Sequence, residues 1–346
     1  MKGGGGKGGA KLKADAVAFD CDGVLIDARR SYDRAIRVVV ELMAGELTGA
    51  KLSLSRTAPK LISTVRRTGG FNSDWDATYA LTLFSFVAAT EARGGASRAS
   101  TRLAEIVARF GSAPRGVGAA AVDSFLDREF PQLGGGLAEA RQFLGYPGRP
   151  PQSRLATLFD EIYLGGPLFE KMHGVAPSKR RRGFIEMERT LVREGTLRSF
   201  ERAVGRGRMA IVSGRPSLGT EYSLGDAVMG HFDRGASMFI GDADFYPELG
   251  FEYERFRKPS PDALVRASER LSSKTLLYVG DSAEDLMMVQ RAKERGLLEG
   301  CLFAGVCGMS PDPKGQAAFF AEGGADLVVR SVNDIPPRLL MAGRGR

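Results

Sequence analysis

The chain has 346 residues, of which 43% are hydrophobic and 26% charged, the balance of a globular protein with apolar material for about two domains. That composition excludes wholesale disorder, a collagen-like repeat and a fibrous coiled coil. The net charge of +8 sits mostly in the tails: Lys2, Lys7, Lys11 and Lys13 precede any acid, and Arg330, Arg338, Arg344 and Arg346 face only Asp334.

Such tails, and the Lys179–Arg182 cluster, can touch a polyanion. No aromatic-interleaved basic stripe accompanies them, so no nucleic-acid partner is expected beyond weak contacts by the tails. Cys21, Cys301 and Cys307 have no metal-ligand spacing, and their small odd number fits a reducing, cytoplasmic setting. The first residues hold no apolar h-region of a signal peptide. His173 and His231 are the two histidines, too few and too far apart for zinc or serine-hydrolase chemistry, and are expected to be structural or exposed. The longest apolar stretch, Tyr79 to Thr90, is shorter than the roughly 18 residues of a membrane span.

In chain order, residues 1–14 form a Gly/Lys-rich leader. Ala16–Phe19 is an apolar run that stops at Asp20 and predicts a buried parallel strand. Helical spacing follows at 31–47, 79–92, 100–110 and 183–194. Residues 94–152 are rich in Gly, Pro and Arg and show no clear period. Four further strands are predicted at Met209–Val212, Leu276–Val279, Cys301–Ala304 and Leu327–Val329, with a weaker one at Met238–Ile240. Helices at 261–271 and 283–295 separate several of them. Met287 and Met288 are expected to fill the core, and Asp242 to serve a loop or cap. Strands alternating with helices give an α/β fold, a Rossmann-like parallel sheet with a mostly α-helical insert after the first strand.

Ligands of an open parallel sheet bind beyond the carboxyl ends of its strands. Those ends carry Asp20-Cys21-Asp22-Gly23, Ser213-Gly214 and Gly280-Asp281-Ser282, with Asp285 soon after and Lys258 before the 261–271 helix. A carboxylate can attack phosphorus. Clustered carboxylates repel one another unless a cation neutralises them, and an all-oxygen set selects magnesium over zinc. A lysine and a hydroxyl can steady the transferring oxygens.

These segments, in this order, resemble the four motifs of the haloacid dehalogenase-like hydrolase superfamily. The resemblance implies a core of residues 15–30 and 195–335 and a helical cap at 31–194; the charge pattern makes 336–346 a basic tail. It implies that Asp20 is the nucleophile, Asp22 the general acid/base and Lys258 the residue that steadies both nucleophile and phosphate. Ser213 and Gly214 would bind phosphate, and Asp20, Asp22, Asp281 and Asp285 would surround Mg2+, with Asp285 at the metal or just behind it. Asp22 favours phosphoryl transfer over dehalogenation, and Cys21 in place of a lysine argues against the transport-ATPase branch.

Gly69-Gly70-Phe71-Asn72-x-x-Trp75 resembles the cap of a phosphoglycolate-phosphatase-like subgroup. The expected activity is a Mg2+-dependent phosphatase for a small phosphorylated metabolite, phosphoglycolate and histidinol phosphate being candidates. A phosphomutase and a non-catalytic phosphometabolite-binding protein are the alternatives. Arg66, Arg67, Asn72, Trp75 and Arg215 are candidate substrate contacts, with Trp75 equally suited to anchoring the cap core. Oligomeric state is left open.

Overall fold

A computed structural model describes residues 11–68, 71, 73–92, 95–113, 116–179, 181–244 and 253–340. The chain folds as two compact units, one formed by residues 1–28 with 188–346 and the other by residues 29–187.

The first unit is built on strands β1 (Ala16–Phe19), β4 (Met209–Ser213), β5 (Met238–Phe239), β6 (Thr275–Gly280), β7 (Gly300–Val306) and β8 (Leu327–Val329). They form one sheet in the order β5-β4-β1-β6-β7-β8, and every pairing is parallel. All five strands read from apolar runs are present, and so is the weaker one. β2 (Ile26–Asp27) and β3 (Arg189–Thr190) make a separate antiparallel ribbon.

Period-two alternation sends successive β1 side chains to opposite faces. Ala16 and Ala18 join Val212, Tyr278 and Phe303 against Leu264, Met288 and Phe320, which come from the helices Asp262–Arg270, Ala283–Glu294 and Pro313–Glu322. Phe19 points the other way, edge-on to Phe200 of the Glu194–Val204 helix and to Phe232. With helices on both faces the strands have no wet side, which is why they read as continuous apolar runs.

The second unit is helical. Its centre is the Asp74–Glu91 helix, buried on nearly every side, with Thr78 and Thr82 hydroxyls donating back to the carbonyls of Asp74 and Thr78. A helix apolar all round belongs in the middle of a bundle, and this one holds the longest apolar stretch of the chain. Among the described residues no helix is long and apolar enough to cross a membrane.

Residues 94–152, which lack a clear period by eye, contain helices Ala96–Gly111, Gly118–Glu129 and Gly134–Leu144. Their apolar stripes, Leu103/Ile106/Phe110, Val122/Phe125/Leu126 and Leu137/Ala140/Leu144, are buried. Two expectations are corrected. The stretch 183–194 is not a helix: Phe184–Met187 makes a short 3-10 turn, and Arg189–Thr190 pairs with Ile26–Asp27 because partners beyond its own segment claim its backbone, Leu191 N–H donating to Leu25 O at 2.7 Å. Met288 is in the core, but its neighbour Met287 is exposed, on the outer face of the same helix.

Candidate active site

β1 lies between β4 and β6, so the carboxyl ends of all three strands are neighbours. The pairing of β1 with β6 runs one residue past the strand, Asp20 N–H donating to Val279 O at 2.9 Å. The chain then turns tightly, with the amides of Val24, Leu25 and Ile26 all donating to Cys21 O. Gly23 makes the turn at φ +72°, and a Cβ there would stand 1.8 Å from Asp281 Oδ2. The glycine is required both for its left-handed backbone and for the approach of Asp281. Gly280 has a similar reason, since its Cβ would meet Asp285 Cβ at 2.5 Å.

Lys258 joins two of the acids. Its ammonium lies 2.9 Å from Asp20 Oδ1 and 2.8 Å from Asp285 Oδ1. Asp285 is fully buried and its two oxygens are well supplied. Oδ1 also accepts from the Tyr278 hydroxyl at 3.0 Å, while Oδ2 accepts from the amides of Asp281 and Ser282 and from the Ser282 hydroxyl. Ser282 and Asp285 form a capping box on the Ala283–Glu294 helix. Tyr278 is the residue that sequence reasoning missed here: it reads as a core strand position, but its hydroxyl bridges Val212 O and Asp285.

Asp20, Asp281 and Asp285 each offer an oxygen within 4.8 Å of the others. Burial, opposed by Lys258 and reinforced by Asp285 and Asp22, raises the pKa of Asp20 to about 6. Burial, together with the facing carboxylates of Asp285, Asp20 and Asp22, pushes Asp281 well above the usual carboxylate range. Burial works against Asp285 too, but Lys258 and Ser282 hold it below its ordinary value. An oxygen-only set with more negative than positive charge fits a hard divalent cation, which would relieve the repulsion that raises Asp20 and Asp281.

Asp22 lies in the turn that follows β1. Its Oδ1 accepts from Arg215 Nη1 at 2.7 Å, and Arg215 Nη2 donates to Glu188 Oε2 at 2.7 Å. Ser223 Oγ donates to the same Glu188 oxygen at 2.5 Å. The Arg215 side chain is 3% exposed and that of Glu188 1%, against 42% for Asp22. Arg215, expected as a substrate contact, is thus buried with both amino nitrogens engaged by carboxylates. Ser213 is buried at the end of β4, and Gly214 next to it is exposed with open space around its Cα. Cys21 is wholly buried, and burial pushes its thiol up to about 12, as suits a packing residue. Asp242 Oδ1 accepts from Ser217 N–H at the start of the Ser217–Met229 helix, a cap role as expected.

The model of the haloacid dehalogenase-like hydrolases matches residues 14–293. The chain belongs to that family. Among solved structures, the hydrolase is similar to the phosphatase Tt82 from Thermococcus thioreducens, at 23% identity and a TM-score of 0.55, covering 89% of this chain and 99% of that one. That likeness is one of fold. A putative phosphoglycolate phosphatase from Lactobacillus plantarum also matches, at 16% identity and a TM-score of 0.43, over 95% of this chain and 100% of that one. No curated protein matches the sequence.

The remaining candidates of this hydrolase lie in the helical unit. Arg66, a candidate substrate contact, is held by Asp33 at 3.0 Å and Asp74 at 2.5 Å. Two acids of its own unit thus occupy its guanidinium. Arg67 is exposed at the end of the Ala58–Arg66 helix. Trp75 is half-buried on the first turn of the central helix, its indole N–H donating to Asp160 Oδ1 at 2.9 Å. Asp160 Oδ2 is 2.8 Å from His173 Nε2, so Trp75 and His173 are linked through the buried Asp160. Ser73 occupies the N-cap position without a side-chain bond to the helix. Gly69, Gly70 and Asn72 lie outside the described residues.

Proposed function

We propose that the chain is a Mg2+-dependent phosphatase that hydrolyses a small phosphate monoester through a phosphorylated Asp20. The observation that carries this reading is the Asp20 carboxylate, held at 2.9 Å by Lys258 at the sheet edge, with oxygens of Asp281 and Asp285 within 4.8 Å. Asp20 attacks phosphorus and the bond to the ester oxygen breaks. Asp22 gives that oxygen its proton, then takes one from the water that releases phosphate. Lys258 fixes the nucleophile, and Ser213 and the Gly214 amide receive phosphoryl oxygens. Asp20, Asp281 and the Asp22 backbone carbonyl would hold Mg2+, which when bound neutralises charge on the transferring group. Asp285, saturated with donors, positions Lys258 and the Asp281 loop.

Family membership supports hydrolysis, and the presence of Asp22 supports phosphorus over carbon as the centre attacked. Phosphoglycolate and histidinol phosphate remain the proposed candidates. A panel of phosphometabolites containing both, with 4-nitrophenyl phosphate as reference, tests the reading by phosphate release with and without Mg2+. Metal-dependent release that disappears in Asp20→Asn is expected. Release undiminished in Asp20→Asn overturns the mechanism, and sugar-phosphate isomerisation without net release selects a mutase.

A further inference from the structure

We propose that Glu188 and Arg215 form a positioning relay that orients the Asp22 carboxylate toward the leaving oxygen. This rests on the reading of Asp22 as general acid. Three observations carry it. Arg215 spans the two acids with one amino nitrogen on each, both at 2.7 Å. Arg215 and Glu188 are buried, while the carboxylate they hold is open to solvent. Glu188 is itself fixed by the hydroxyl of Ser223, on the Ser217–Met229 helix.

A planar guanidinium held by two acceptors has a defined orientation, so the oxygen it donates to is defined as well. An exposed aspartate without such a partner samples several rotamers, and few of them are productive for proton transfer. Glu188 is outside the acidic cluster of Asp20, Asp281 and Asp285. It is the first residue of the sheet unit after the helical insert, one position before β3. The ribbon formed by β3 and β2 therefore sets where Arg215 is anchored.

The experiment separates positioning of the acid from general damage. A 4-nitrophenyl leaving group departs without a proton, whereas an alkyl alkoxide needs one. The ratio of kcat/KM for 4-nitrophenyl phosphate to that for a simple alkyl phosphate is measured for the wild type, Glu188→Gln, Arg215→Lys and Asp22→Asn, with folding checked by circular dichroism. General acid catalysis contributes roughly 10²–10⁴-fold, so Glu188→Gln should lose at least about tenfold more on the alkyl ester than on the aryl ester. In an Asp22→Asn background the same change should add no further selective loss. Equal losses on both esters, or an undiminished selective loss in the Asp22→Asn background, overturn the relay. If Glu188→Gln does not fold, Arg215→Lys decides by the same ratio. Asp20→Asn is the separate control: activity surviving there defeats the phosphatase reading rather than the relay.

Discussion

Lys258 Nζ lies 2.8 Å from Asp285 Oδ1, and that bond ties the lysine to a carboxylate with no exposed surface. Because four donors besides the lysine converge on Asp285, an amide cannot replace it without setting N–H against N–H. Breaking a buried pair of this kind costs about 3–5 kcal/mol. Asp285→Asn is therefore expected to lose that much stability in urea denaturation, and to lose activity because Lys258 and the Asp281 loop move. A loss under about 1 kcal/mol contradicts the positioning role.

Cation binding should depend on pH with a definite sign. Asp20 is raised to about 6, mainly by burial, from an ordinary value of 3.8. Between these values the folded chain holds a proton that the unfolded chain has released, so the metal-free protein loses stability as pH rises through that range. A cation needs the deprotonated form. Mg2+ at about a hundred times its Kd should stabilise by ~2.7 kcal/mol near neutral pH and by much less near pH 5. A melting shift equal at both pH values contradicts the assignment of Asp20 to the cation site.

Gly23→Ala tests the close approach. The new methyl group would overlap Asp281 Oδ2, and the positive φ would be strained by about 1–3 kcal/mol. The expected result is a folded, less stable protein whose melting temperature no longer responds to Mg2+. An unchanged response to Mg2+ places Asp281 outside the cation site.

Asp15 anchors the entry to the sheet, accepting from the Ser273 hydroxyl and the amides of Lys274 and Thr275. Burial opposes its ionisation, but these bonds hold its pKa below the ordinary value. Its contribution is therefore present above about pH 4 and is lost as pH falls through the depressed folded value. Asp15→Ala should cost about 1–3 kcal/mol at neutral pH, and the gap to wild type should narrow in acid. A gap independent of pH contradicts the account.

The sheet was legible because each strand is a short apolar run that stops at a residue with chemistry: Phe19 before Asp20, Val212 before Ser213 and Val279 before Gly280-Asp281. Asp20 and Asp281 meet because parallel pairing aligns strand ends, which a sequence reader can infer. Glu188 was not legible. Its place depends on the β2–β3 ribbon, a pairing across more than 150 residues between two-residue strands that carry no periodic signal. Tyr278 was hidden by its own strand, since one hydroxyl does not disturb an apolar run. Arg66 shows a different limit: an arginine beside a distinctive motif invites a ligand, and only the fold reveals Asp33, 33 positions away, as a partner.

The central claim is that Asp20 itself carries the phosphoryl group. Acid-quenching a reaction with 4-nitrophenyl phosphate and Mg2+ within the first turnover, followed by peptide mass spectrometry, tests it directly. The account predicts one added phosphoryl group on Asp20, lost when the reaction is left to exhaust its substrate before quenching, and no modification in Asp20→Asn. Phosphate release at full rate with Asp20 unmodified at every time point, and equal release by Asp20→Asn, would contradict it.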